Sequence, residues 1–494
     1  MSLLARFRKT ASQANTPSPY EHDHVYPVHV LDDTPTMRGI LLTWTLCFND
    51  VLDADKLQSS LARLVEIGDW RKLGGRVRLN ENKKLEIHVP PKFTAERPAF
   101  SYSHVVIDSA IADHAVAQKL PKPNGNVSTG LGPDHFSDLA VRPDAPKTME
   151  DLLAGDTPQM SVHITSFTNA TLVGLSWPHT LMDVMGQQAF IQAWSLVLAG
   201  RESEVPPVLG AQEDELCAIA DAPAENAEEY IHKSKQLKGM AMVQFGARFA
   251  WEMMTGPAPE TRTICLSKKV VAALRSQAQS DLPDPVNGEE KPFISDGDVL
   301  TGWTMRAVAT SLPSPRPVTA LHAMNARFRL PSLINAKGVY LQNMLVPGFT
   351  FIPADTARGP MGPIALTNRQ HLLEQATEAQ VLASLREQRV SGDPSKLLYS
   401  DANALLMPFT DWTKAKFFQS ADFGPAVVRA SDEQSRCNPP GSPIFHHASS
   451  RKPNQTTRLV VIILGKDFDD NYWITMTMSP NAWRNIENSL EGLA

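Results

Sequence analysis

The stretch Ser176-Trp177-Pro178-His179-Thr180-Leu181-Met182-Asp183-Val184-Met185-Gly186 closes one kind of local pattern and opens another. Upstream, residues 160–167 alternate, with Val162 and Ile164 on one side and polar partners between them. A turn follows at Thr168-Asn169-Ala170, and a second apolar run fills 172–177. That spacing predicts a β-hairpin whose end delivers His179. Downstream, residues 184–199 predict an amphipathic helix, with Phe190, Trp194 and Leu198 on one stripe and Gly200 as a stop. A strand feeding a helix through a short polar turn marks a mixed α and β chain. It also sets a histidine at an open strand end, where a rigid element can present it to a substrate.

His-x-x-x-Asp is weak taken alone, because the chain holds three copies of it. His29 with Asp33 and His104 with Asp108 stand in short apolar runs and read as ordinary strand residues. The His179–Asp183 copy has the strand–turn–helix context. A histidine so placed can take a proton from a substrate hydroxyl, as acyl transfer by general-base catalysis requires. A buried histidine with a purely structural role fits the same residues.

With 494 residues the chain is too long for a single core, so two domains are expected. Hydrophobic residues at 42% and charged residues at 20% describe an ordinary globular protein. A net charge of −6, with no basic stripe interleaved with aromatics, argues against nucleic acid as a partner. The longest aliphatic run, residues 459–464, is far short of a membrane span. Cys47, Cys217, Cys265 and Cys437 are scattered without metal spacing, and they suggest a reducing compartment, with a cytoplasmic location as the expectation. The basic stretch of residues 1–19 reads as a disordered arm or, alternatively, a presequence.

Proline and glycine clusters divide the chain. Residues 121–157 read as an irregular insertion, and residues 281–292, 353–363 and 438–453 as loops. The break over residues 200–226 falls near the middle. It sets the expected organisation: an N-terminal domain over 1–205 with the histidine motif, a crossover over 206–235, and a C-terminal domain over 236–494. The first half predicts a helix at 54–67 and a hairpin at 75–79 and 85–89. The second predicts strands at 261–266, 319–328, 459–464 and 472–478, and helices at 268–279, 298–309, 370–389 and 480–490. Two α+β halves of similar layout suggest a duplicated architecture with a cleft between the halves.

A second constellation stands far downstream, Phe409-Thr410-Asp411-Trp412-Thr413-Lys414 and then Ala421-Asp422-Phe423-Gly424-Pro425-Ala426. His-x-x-x-Asp in mid-chain followed late by Asp-Phe-Gly resembles the BAHD acyltransferases, in the fungal branch that includes trichothecene 3-O-acetyltransferase. The resemblance covers most of the chain. Leu73-Gly74-Gly75-Arg76 is similar to the family's small-Gly-Arg turn. Residues 294–306 resemble its long apolar helix, Asn325-Ala326-Arg327-Phe328-Arg329 its Asp/Asn-x-Arg-x-Arg segment, and Tyr340-Leu341-Gln342-Asn343 its Tyr-Phe-Gly-Asn. The chain departs from the family where Pro425-Ala426 stand for Trp-Gly, and where the glycine after the aspartate is displaced to Gly186.

The resemblance implies an α+β fold of two similar chloramphenicol-acetyltransferase-like domains, each a mixed sheet with flanking helices, joined by a long crossover. It implies an acyl-CoA co-substrate, in the first instance acetyl-CoA, no bound cofactor, a small-molecule acceptor from secondary metabolism, and a monomer. His179 would be the base. Thr410 and Trp412 would donate hydrogen bonds to the tetrahedral oxyanion. Asp183 would turn away from the substrate to pair with Arg327, and Asp422 and Gly424 would be structural. Peptide-synthetase condensation domains share the fold logic but usually carry a doubled histidine, where this chain has Pro178 before His179. The same residues leave other readings open: N-acylation, an acid–base cyclisation without acyl donor, or a non-catalytic metabolite-binding protein. His446-His447 in a proline-flanked loop lack the carboxylate or cysteine spacing of a metal site, so no metal is expected.

Overall fold

The computed structural model describes residues 22–223, 227–284, 290–391, 397–452 and 458–493. The basic stretch 1–19 and the end of the mid-chain break, 224–226, lie outside them.

Among the described residues the strands form two large mixed sheets and three small ones. The first large sheet has five strands in the order Phe445–Ser450, Leu41–Phe48, Thr171–Pro178, Ser161–Ser166 and Ser101–Val106. The second has seven: Leu345–Ile352, Val318–Asn325, Leu405–Asp411, Val461–Lys466, Tyr472–Met478, Glu260–Leu266 and Val127–Leu131. The hairpin forms as predicted, with Ser161 opposite Ser176 and Ser166 opposite Thr171. The strand leading to His179 is buried along its whole length because neighbours pair with it on both edges. Continuous apolar character, rather than alternation, follows from that position.

The sheets do not keep to the halves of the sequence. Val127–Leu131, from the stretch read as irregular, adds antiparallel to Glu260–Leu266 at the edge of the second sheet. Phe445–Ser450, from the stretch read as a loop, pairs with Leu41–Phe48 in the first. Both were hidden for a physical reason. The first is flanked by glycine and proline. The second carries His446 and His447 where apolar residues are expected, yet both side chains are buried. His29 also departs from its reading. It lies beyond the strand His24–Pro27, in a buried turn, with Nε2 at 2.6 Å from Gly210 O.

Other boundaries shift where a side chain caps the backbone. The strand expected to run to 328 ends at Asn325, whose Oδ1 accepts Arg327 N and turns the chain into a short 3-10 helix, Ala326–Phe328. The helix expected over 370–389 is two, Met361–Gln375 and Glu378–Ser391. Thr377 Oγ1 accepts Gln380 N and starts a new helix. The helix from Ala54 ends at Leu64, and Gly68, at φ +47°, turns the chain into a second 3-10 helix, Gly68–Gly74.

Candidate active site

The strand Thr171–Pro178 gives way at Pro178 to a tight turn in which Leu181 N donates to Pro178 O. Leu181 and Met182 are buried beneath it. His179 N donates to Ile40 O, which anchors the base to the residue just before the neighbouring strand Leu41–Phe48 of the first sheet. The helix Val184–Leu198 begins at once, with Asp183 as its N-cap. Asp183 Oδ1 accepts Met185 N and Gly186 N, both at 3.0 Å. Gly186 is required by space: a Cβ there would lie 2.1 Å from Leu341 O. The displaced glycine thus lets the helix start press against a loop from the second half of the chain.

The other oxygen of Asp183 faces that loop. Arg327 Nη1 donates to Asp183 Oδ2 at 2.7 Å, and Met344 N donates to it at 3.1 Å. The Asp183 side chain is fully buried and that of Arg327 is 11% exposed. Arg327 Nη2 donates to Tyr340 O and Gln342 O as well. Both carboxylate oxygens are therefore taken up by donors, and none of them is the His179 ring. The Asp183–Arg327 pair is a strut between the base turn and residues 340–344.

His179 is partly buried, and its Nδ1 is sealed from solvent without a hydrogen bond of normal geometry. A substrate hydroxyl can therefore meet only Nε2. Burial lowers the pKa of the ring below the ordinary histidine value, against smaller opposing effects of its own carbonyl, Asp183 and Asn343. The imidazole is thus neutral at neutral pH and able to accept a proton.

Thr410 stands at the end of the strand Leu405–Asp411, the third of the second sheet, and Trp412 just beyond it. Trp412 Nε1 donates to Thr410 Oγ1 at 3.0 Å. A hydroxyl that accepts on one lone pair still has its proton to give, so the indole leaves the Thr410 hydroxyl as the free donor. Trp412 is buried in the apolar cluster that holds Leu175, Trp177, Leu181 and Phe190, and the next turn, Thr413–Ala415, packs against the base helix. No hydrogen bond found joins His179 to Thr410 or Trp412.

The Asp-Phe-Gly segment docks on the far part of that helix. Asp422 N donates to Ser195 Oγ at 3.0 Å, and Phe423 stacks on Phe48 and edges onto Trp194. Asp422 is exposed, and its Oδ1 accepts Gly424 N. Gly424 is not in the left-handed region. The glycine with positive φ is Gly441, at +77°, where a Cβ would lie 2.1 Å from Gly424 N. Gly441 packs closely over Gly424.

Sequence reasoning passed over Asn343 except as part of a motif, and passed over Asp32 altogether. Asn343 Nδ2 donates to His179 O at 2.8 Å, and Asp32 Oδ1 accepts from Asn343. A bond to a backbone carbonyl leaves no spacing pattern by which it could be found. Among the described residues no group of three or more His, Cys, Asp or Glu side chains is disposed to hold a metal ion. His446 and His447 lie on the strand Phe445–Ser450 rather than in a loop. Two open surface depressions, one beside Glu96 and Arg142 and one beside Lys268 and Tyr472, are lined by none of the site residues.

No family model matches the chain. It is 36% identical over 483 residues to the O-acetyltransferase PaAT-2 of Phomopsis amygdali, which covers 95% of this chain and 98% of the relative. To the acetyltransferase pyiB of Pyricularia grisea it is 34% identical over 472 residues, 94% and 93% of the two chains. Its fold is similar to TRI101 of F. sporotrichioides, solved with coenzyme A and T-2, at a TM-score of 0.63 and 13% identity over 92% of this chain and 95% of that one. The chain belongs to the fungal acetyltransferases of the BAHD type, acyltransferases built on two chloramphenicol-acetyltransferase-like domains.

Proposed function

We propose that the protein transfers an acyl group, acetyl in the first instance, from acyl-CoA to a hydroxyl of a small secondary metabolite, with His179 as general base. The observation that carries this reading is the histidine itself: neutral, reachable only at Nε2, and held at a strand end by a turn locked through Asp183 to the second half of the chain. His179 Nε2 takes the hydroxyl proton as the oxygen attacks the thioester carbonyl. The oxygen of the tetrahedral intermediate accepts the Thr410 hydroxyl, which Trp412 holds in place. Collapse breaks the carbon–sulfur bond, and the departing thiolate takes the proton from His179. No covalent enzyme intermediate is needed, so no cysteine is assigned a role. Asp183 and Arg327 support the turn without touching substrate, and Asp422 and Gly424 seat the late segment on the base helix. The names of the relatives, and the coenzyme A and T-2 bound to TRI101, support the donor and the class of acceptor.

The two substrates would enter a cleft between the two domains from opposite sides, with residues 206–235 as the crossover. A cytoplasmic monomer belongs to the same proposal. Four cysteines without a disulfide partner support a reducing compartment, and no described helix is long and apolar enough to cross a membrane. Thiol release from acetyl-CoA, measured with a panel of hydroxylated acceptors, tests the reading. His179→Ala should lower turnover by about a hundredfold to ten-thousandfold, the range for a general base, and leave the melting temperature nearly unchanged. Near-normal turnover in a folded His179→Ala protein, or product without thiol release, overturns it.

A further inference from the structure

Behind the base turn lies a group of buried charges that acyl transfer does not use. Asp32, 1% exposed, follows the strand His24–Pro27. Its Oδ1 accepts Asn343 N at 2.7 Å and Asn343 Nδ2 at 2.6 Å. The same Nδ2 donates to His179 O at 2.8 Å, so one carboxamide joins the Asp32 carboxylate to the backbone of the base. Asn343 Oδ1 is buried with no partner among the described residues, and the amide is oriented by its donors. A flipped amide would set Oδ1 against a carboxylate and a carbonyl, both of which only accept.

The groups facing this node come from several elements. Lys72, 4% exposed, belongs to the 3-10 helix Gly68–Gly74 and points Nζ toward Pro27 O and Ala211 O. Asp214 caps the helix Glu215–Asp221, and His29 leans on Gly210 O. Asp69 accepts Tyr26 OH beside Lys72. On the far side of Asn343, His179 has Asp183 nearby. Burying a carboxylate is costly, and an apolar pair of similar size would serve packing as well.

We propose that Asp32 is a positioning residue for His179, aiming the Asn343 carboxamide at the His179 carbonyl and so fixing the orientation of the base. This rests on the reading of His179 as the base. As a carboxylate Asp32 can only accept, which holds the amide in the observed orientation. Once protonated it accepts from Asn343 only as a neutral group, the charge-assisted bonds weaken, and the aim of the carboxamide at the His179 carbonyl is loosened. Burial pushes the Asp32 carboxyl up to about 7, with Lys72 and the Asn343 hydrogen bonds holding it down and Asp214 adding to the rise. The change therefore falls near neutral pH.

The test is histidine NMR on the full-length protein labelled at histidine 13Cε1, with the His179 resonance identified by its loss in His179→Ala. The wild-type resonance should show the ring's own titration below the ordinary histidine value and a second inflection near 7. Asp32→Asn should abolish the second inflection. Lys72→Gln should move it to higher pH, because loss of the positive charge disfavours the carboxylate. In parallel, thiol release from acetyl-CoA should fall about tenfold in kcat for Asp32→Asn, the worth of one hydrogen bond, with KM for acetyl-CoA unchanged. A wild-type curve with one inflection, or an Asp32→Asn curve identical to wild type, overturns the proposal. If Asp32→Asn does not fold, an unmoved second inflection in Lys72→Gln does so. If the inflections behave as expected but His179→Ala still transfers acyl groups, the assignment of the base fails while the Asp32 link stands.

Discussion

At Asp183 the carboxylate serves two partners in opposite directions, and this decides how substitutions there should behave. Asparagine can still cap the helix through its oxygen, but it leaves the Arg327 guanidinium without its counter-charge. Breaking a buried pair by removing one partner costs about 3–5 kcal/mol. The low end is expected, since Arg327 keeps the Tyr340 and Gln342 carbonyls. Asp183→Asn should therefore lose stability in denaturant unfolding as well as turnover. Arg327→Ala should resemble it, and the double variant should lose less than the sum of the two, as coupled neighbours do. Loss of rate without loss of stability, with Arg327→Ala indifferent, would instead make Asp183 a direct partner of the base. Thr410 and Trp412 allow a similar separation. Thr410→Val should cost about a hundredfold or more in kcat, as loss of an oxyanion donor does. Trp412→Phe should cost only about tenfold, because it removes the hydrogen bond that aims the donor. Equal losses would mean that the indole contacts the oxyanion itself. His179 and its Asp183 with Arg327 behind it could be placed from the sequence because motif order carries them, whereas the bond from Trp412 to Thr410 could not. Nor could Asn343 and Asp32, because each acts through the backbone.

Elements were legible where burial is one-sided and illegible where it is complete or polar. The helix Pro480–Leu490 matches its predicted bounds, with a proline in its first turn and one apolar stripe. The strand Phe445–Ser450 escaped notice because two of its buried residues, one on each face, are histidines. His446 accepts the Trp44 indole N–H at Nδ1, and His447 stacks on Phe136. Burial drives both rings down to about 3 from an unfolded value near 6.5, so the fold keeps them neutral. Their contribution to stability is complete above pH 6.5 and is lost as pH falls below it, because only the unfolded chain then takes up protons. Each histidine should add about 1.4 kcal/mol per pH unit to the slope of stability between pH 6.5 and the folded value. Denaturant midpoints measured from pH 7 down to 5 should show that slope, and His447→Leu should reduce it. An unchanged slope in His447→Leu would show that the strand opens before its rings are protonated.

On the scale of the whole molecule, the exchange of edge strands makes each large sheet incomplete without a stretch from the other half of the chain. The core beneath the first sheet joins Trp44, Phe48 and Trp194 to Phe417, Phe423, Phe445 and Trp473 from the second half. Phe417 lies 4.6 Å from Trp44, and Phe423 lies 4.7 Å from Trp194, between ring centroids. Burying one such side chain contributes about 1.5–3 kcal/mol, against a total stability of about 5–15 kcal/mol for a folded domain. A piece ending at residue 205 forfeits several of these contacts together with the edge strand Phe445–Ser450. The loss is comparable to its whole stability, so residues 1–205 alone should show no cooperative thermal transition. Residues 236–494 forfeit the edge strand Val127–Leu131, the strand partners of Val339–Tyr340, Val427–Arg429 and Phe445–Ser450, the Asp183 partner of Arg327 and the aromatic partners on the shared core. That piece should keep strand and helix signals in far-ultraviolet circular dichroism while exposing apolar surface to a hydrophobic dye. Calorimetry of the intact chain should give one transition rather than two, and the two pieces produced together should recover it in part. A cooperative transition in the isolated 1–205 piece, near the melting temperature of the full chain, would mean that the exchanged strands decorate two self-sufficient cores instead of completing them.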